Sequence, residues 1–221
     1  MTFCWCVELC ADTAKPKIRA VLFDFGGVIA EEGFYNGLVS LAEVQALDVH
    51  SMPGEGMNAV YDSGFVLGQG TAADFWALLR ERTGLEGKDD FLTNYIINGF
   101  QIRPWMIELL RCLRTKGYIT GILSDQTHWL NKLDSRYHFF KEFEHIYNSY
   151  YLGKGKRDST LFSDVVKDLK LQPDEVLFID DNKDNVQRAR AMGLNSIQYT
   201  DQKTFIDEIS NLLQEKFEQQ S

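Results

Sequence analysis

Three short apolar runs in this 221-residue chain each end in side chains able to do chemistry. Ala20 to Phe23 delivers Asp24. Tyr118 to Leu123 delivers Ser124 and Asp125, and Glu175 to Ile179 delivers the pair Asp180-Asp181. A basic stretch, Gly153-Lys-Gly-Lys-Arg-Asp158, sets Lys156 just ahead of a helical pattern. An Asp is a candidate nucleophile. Paired carboxylates suit a hard divalent cation such as Mg2+, which takes oxygen ligands and is often shared with substrate phosphate. A hydroxyl and a lysine beside them can hold the remaining phosphate oxygens. The Gly-Lys-Gly-Lys fragment is not a P-loop, because Arg157 stands where Ser or Thr should follow the lysine and no strand leads into it.

These side chains meet only if the runs are parallel strands. A continuous apolar run closed by glycine suits a strand buried on both faces, and in an open α/β sheet the carboxyl ends of such strands share the ligand crevice. Gly26 and Gly27 let the backbone turn sharply after Asp24 and approach a bound group closely. From Glu31 to about Asn98 the pattern is helical, broken by Met52-Pro53-Gly54, Gly64 to Gly70 and Gly84 to Gly87 into about four short helices. Thr71-Ala-Ala-Asp74 fits a loose capping box. From Pro104 helix and strand alternate: helix 104–116, strand 118–123, helix 129–143, strand 145–150, helix 158–171, strand 175–179, helix 182–192, strand 196–199 and helix 205–217. Strands separated by such helices imply βαβ units. The expected fold is an α/β, doubly wound parallel sheet (a Rossmann-like core) over 18–30 and 101–221, with a small all-helical cap inserted over 31–100 and a tail over 1–17.

Composition narrows the classes. Apolar residues at 44% and charged residues at 25% are those of a globular chain, and the net charge is −9. An acidic chain lacks the basic footprint of nucleic-acid binding. No apolar run approaches the roughly 18 residues needed to span a bilayer, so neither nucleic acid nor membrane is an expected partner. Cys4, Cys6 and Cys10 precede the linker Lys15-Pro-Lys17, with Cys112 far away. Closed thiolate metal sites use a second pair, which is missing. Four cysteines without a basic leader fit reduced thiols and a cytoplasmic location. Oligomeric state is not encoded in any pattern here.

Taken in order, Asp24-Phe-Gly-Gly-Val28, Ile122-Leu-Ser-Asp125, Lys156 before Asp158, and Phe178-Ile-Asp-Asp181 with Asn185 resemble the haloacid dehalogenase superfamily. The likeness covers residues 18 to about 200, including the placement of the cap. Within the superfamily it is similar to the branch of sugar-phosphate phosphatases and the phosphatase domain of soluble epoxide hydrolase. The resemblance implies Asp24 as nucleophile, and Ser124, Asp125 and Lys156 around the phosphoryl group. It also implies Mg2+ held by Asp24, the Gly26 carbonyl and Asp181, with Asp180 a ligand through water or an orienter of Lys156. Asn185 would support the Asp181 loop. The implied function is Mg-dependent hydrolysis of a small phosphomonoester.

One departure stands out. Phosphatases of this family usually carry a second Asp where this chain has Gly26. A glycine keeps the carbonyl but removes the side chain that protonates the leaving oxygen, help worth roughly 10²–10⁴-fold. Glu31, Glu32 and His128 are candidate replacements. Two other readings stay open: a non-catalytic phosphate- or Mg-binding relative, and a metal-independent dehalogenase, against which the acidic pair argues.

Overall fold

The apolar runs become strands because both of their faces are covered. The structure, a computed structural model, describes residues 18–217. β1 (Ala20–Phe23), β2 (Ile119–Ser124), β3 (His145–Asn148), β4 (Val176–Asp180) and β5 (Asn195–Gln198) form one parallel sheet in the order β3-β2-β1-β4-β5. Alternate residues of β1 serve two cores. Ala20 and Leu22 join Phe162, Val165 and Phe178 on one face, and Val21 and Phe23 join Leu110, Ile122 and Ile179 on the other. This two-sided burial is what a continuous apolar run encodes.

The helices are α1 (Gly33–Val44), α2 (Met52–Asp62), α3 (Ala72–Thr83), α4 (Asp89–Gly99), α5 (Pro104–Thr115), α6 (Trp129–Tyr137), α7 (Ser149–Leu152), α8 (Thr160–Leu169), α9 (Lys183–Ala191) and α10 (Gln202–Leu213). After β1 the chain makes α1–α4, returns through α5, and lays down β2 and β3 to one side. β4 and β5 then go to the other side. β1 is therefore the point where strand order reverses, and its carboxyl end opens into the crevice. Phe23 is level with both Ile122 and Ile179, so the next residues along the three strands meet at one edge.

Several boundaries differ from expectation: the last helix is Gln202–Leu213 and not 205–217, α8 is Thr160–Leu169 and not 158–171, and two others differ for visible local reasons. β3 stops at Asn148, whose side-chain oxygen accepts from the Tyr150 N–H at 3.0 Å and starts the one-turn α7. The sequence pattern predicts that strand to run on to Tyr150. α6 ends at Tyr137 because His138 takes φ of 54°, and a 3-10 turn over Phe140–Glu142 replaces the last expected helical turn. The tail with Cys4, Cys6 and Cys10 lies outside the described residues. Among the described residues, no helix is long and apolar enough to cross a membrane.

The aromatic side chains of the inserted helices join the core on one face of the sheet, where Phe65, Phe75 and Trp76 pack against Trp129 of α6. Trp76 on α3 is fully buried, and its indole N–H donates to Thr93 Oγ1 on α4 at 3.1 Å. Thr71 and Asp74 form the expected capping box at the start of α3. Thr93→Val keeps the volume but leaves the Trp76 N–H without an acceptor. It should cost about 1–3 kcal/mol in chemical denaturation; an unchanged midpoint would mean that this bond carries no weight.

Candidate active site

Asp24 is the first residue past β1, and its main-chain N–H donates to the Ile179 carbonyl of β4 at 2.8 Å. The residue is only 8% exposed. Oδ1 accepts from Ser124 Oγ at 2.6 Å and from the Phe25 N–H at 2.7 Å, while Oδ2 lies 2.7 Å from Lys156 Nζ. Lys156 is 2% exposed and also reaches Asp180 Oδ2 at 2.6 Å. The neighbouring Lys154 instead bonds Thr160 and Asp164 at the surface. Burial alone would lower the pKa of Lys156, but the carboxylates of Asp180, Asp24 and Asp125 outweigh it and hold the ammonium above its ordinary value.

Asp180 is fully buried and well occupied. Besides Lys156, it accepts from the Asn182 N–H at 2.8 Å and from Asn185 Nδ2 at 3.1 and 3.2 Å. Those contacts favour the orienting role over direct ligation. Asp181, half-buried, packs against Gly27: a Cβ there would fall 2.3 Å from Asp181 Oδ2, and Gly27 has φ of 78°. Glycine is required at that position on both counts. Asp24, Asp180 and Asp181 each offer one oxygen, all within 4.8 Å of one another. An all-oxygen, buried and negatively charged donor set fits a hard divalent cation.

Asp125, expected near the phosphoryl group, lines the cavity with its side chain engaged elsewhere. Its carboxylate accepts from the Lys156 main-chain N–H at 2.9 and 3.1 Å and from Tyr61 Oη at 2.6 Å. A carboxylate would also repel a phosphate, so Asp125 positions Lys156 and ties α2 to the sheet. Burial first, then Asp125, raises the Tyr61 hydroxyl pKa, so the phenol stays a donor. The Arg157 guanidinium lies over the Tyr61 ring, 3.4 Å from its centroid. Sequence reasoning missed this latch, because nothing local links Tyr61 to a residue 64 positions away. It also missed Arg103, whose guanidinium donates to the carbonyls of Gly27, Val28 and Ala30 at 2.7, 2.7 and 3.1 Å and so fixes the loop after Asp24.

The three candidate proton carriers separate clearly. Glu31 is turned outward onto Arg103 at 2.9 and 3.1 Å. His128 packs among Phe65, Trp129 and Tyr150, with its Nδ1 buried and unpartnered. Glu32 lines the same cavity as Asp24, Gly26, Lys156 and Asp181, a space of about 390 Å³. Burial, then the nearby Asp181 and Asp24, pushes its carboxyl from 4.5 up to about 7. Burial likewise raises Asp180 to about 7, against the pull of Lys156 and with help from Asp24, and raises Asp181.

A Rossmann-like core, a helical insertion after β1 and a carboxylate site at the strand ends define the class of protein. The family model for haloacid dehalogenase-like hydrolases matches residues 18–193, and the chain belongs to that family. It is 27% identical to the sesquiterpene phosphatase astK of Aspergillus oryzae over 201 residues, which are 88% of this chain and 96% of that one. A Bacteroides thetaiotaomicron enzyme of the family, solved with magnesium and inorganic phosphate, superposes with a TM-score of 0.65 at 20% identity, covering 85% of this chain and 98% of that one. The L-2-haloacid dehalogenase of Xanthobacter autotrophicus superposes with a TM-score of 0.61 at 20% identity, covering 88% and 83%. Three other curated relatives are much longer proteins, of which the chain spans 10%, 11% and 22%.

The raised carboxyls set the pH dependence of stability. A carboxyl whose folded pKa lies above its unfolded one contributes stability that is complete below the unfolded value and lost as pH rises through the folded value. For Glu32 that window runs from 4.5 to about 7, and the shift corresponds to about 3 kcal/mol. Asp180 acts in the same direction. The melting temperature in EDTA should therefore fall between pH 5 and pH 8, and Glu32→Gln should flatten the fall. A melting temperature that is level across that range would contradict the electrostatic account.

Proposed function

We propose that this hydrolase cleaves a small phosphomonoester, with Mg2+, through an aspartyl-phosphate at Asp24. The observation that carries the reading is the Asp24 carboxylate, held between a hydroxyl and a buried ammonium in a cavity also lined by Glu32 and Asp181. An Asp24 oxygen attacks phosphorus as the bond to the ester oxygen breaks, and that oxygen leaves with a proton. Water then attacks the same phosphorus, the bond to Asp24 breaks, and inorganic phosphate departs. Lys156 and Ser124, which both reach Asp24, turn to the phosphoryl oxygens and offset the charge developing there. Asp24, Asp181 and the Gly26 carbonyl would hold Mg2+, with Asp180 behind them. When bound, the ion neutralises the phosphoryl oxygens and lets two anions approach each other.

The dehalogenase reading has less support, since Asp180-Asp181 gives a charged cluster that halide displacement does not need. For the substrate body, Phe34, Val60, Val66, Phe100 and Trp129 give the cavity an apolar wall, with Arg157 and Arg188 also lining it. That lining favours a phosphate on an apolar skeleton, in keeping with the Aspergillus relative's activity on a sesquiterpene phosphate. A phosphate-release screen over phosphorylated metabolites, including prenyl and terpenyl phosphates, tests this. Release should require Mg2+, stop in EDTA, and fall by more than about 10³-fold in Asp24→Asn. No release from any ester would favour the binding-only reading. Full activity in Asp24→Asn would remove Asp24 from the reaction.

A further inference from the structure

Gly26 leaves this site without the side chain that usually carries the proton. We propose that Glu32, reaching in from the entrance of the inserted helices, takes over that task at the leaving-group oxygen; the inference rests on the phosphatase reading above. A Cβ built on Gly26 would lie 2.8 Å from Glu32 Oε2, so the Glu32 carboxylate stands where a side chain at position 26 would begin. The glycine is thus a space that another acid fills, in the same way that Gly27 makes room for Asp181.

Glu32 occupies the N-cap position of α1, where a short polar side chain would normally accept from the first turn. It makes no capping bond of good geometry, and the Tyr35 N–H of the first turn is the one local donor near its carboxylate. Its neighbour Glu31 is committed to Arg103 outside the cavity. Among the described residues no Lys or Arg forms a salt bridge with Glu32, whereas Asp180, the buried acid behind the nucleophile, is held by Lys156. A carboxyl that lines the cavity with Asp24 and lacks a fixed cation is available to a substrate oxygen.

The proton balance closes over two steps. As Asp24 bonds to phosphorus and the ester bond breaks, the Glu32 carboxyl gives its proton to the departing oxygen, releasing the neutral alcohol. The resulting carboxylate then takes a proton from water as the water oxygen attacks phosphorus. Asp24 is released, inorganic phosphate forms, and Glu32 is protonated again.

Leaving groups separate this role from a structural one. In the full chain with Mg2+, Glu32→Gln should lower kcat/KM for an alkyl phosphate by about 10²–10³-fold. For p-nitrophenyl phosphate, whose leaving group needs no proton, kcat/KM should change by less than about 10-fold. kcat for that ester should still fall, with a burst of nitrophenol, because water is no longer activated. Moving the acid back, in Gly26→Asp combined with Glu32→Ala, should restore alkyl phosphate turnover, which repair of folding alone would not do. Equal losses on both esters without rescue by the double variant, or no loss on either, would overturn the assignment. A wild-type protein inactive on both esters would instead defeat the phosphatase reading, and the Glu32 role with it.

Discussion

Asp24, Glu32, Asp125 and Asp181 line one cavity and Asp180 is buried behind them, while the one buried ammonium among the described residues is that of Lys156, and most of the site's architecture follows from that imbalance. A buried lysine is tolerated only when paired, and here it bridges Asp24 and Asp180 at 2.7 and 2.6 Å. The remaining charge is relieved in two ways, by raised carboxyl pKa values and by a donor set suited to a divalent cation. Each position in the cluster is then fixed by a distinct support. Asn182 and Asn185 hold Asp180, Asp125 holds the Lys156 backbone, and Arg103 pins the carbonyls of the loop after Asp24.

The sheet supplies the precision and the inserted helices supply the enclosure. Parallel register sets Phe23 level with Ile122 and Ile179, so the polar residues that follow converge without any loop having to travel. The insertion is tied to this edge from the other side. Tyr61 donates to Asp125, and Ser149 Oγ donates to the Val66 carbonyl at 2.8 Å. Glu32 belongs to the start of the same insertion, next to Gly33, whose lack of a Cβ lets Phe100 pack against it. The geometry of the proton carrier and the seating of the helices are therefore linked through one short connection.

Much of this was legible in the sequence because buried parallel strands write themselves as unbroken apolar runs. Asp24, Ser124 and Asp180 could be read as strand-end residues from those runs alone, and burial sets Lys156 apart from the surface-paired Lys154. Contacts across long separations were not legible. The Tyr61–Asp125 bond and the Arg103 clamp span 64 and about 75 residues, and no periodicity reports them. Gly26 was readable as a loss but not as a vacancy filled by Glu32, since adjacent Glu31 and Glu32 are equivalent in sequence and differ only in which side of the loop they face.

The central claim is that Asp24 is the atom group to which phosphorus is transferred. Its most direct test is to quench the enzyme in acid during turnover of a phosphomonoester with Mg2+ and map the phosphoryl group by peptide mass spectrometry. The account predicts the added mass on the peptide containing Asp24, and its absence when Mg2+ is withheld. Phosphorylation of another residue, or steady turnover with no phosphorylated peptide under conditions that preserve acyl phosphates, would contradict it.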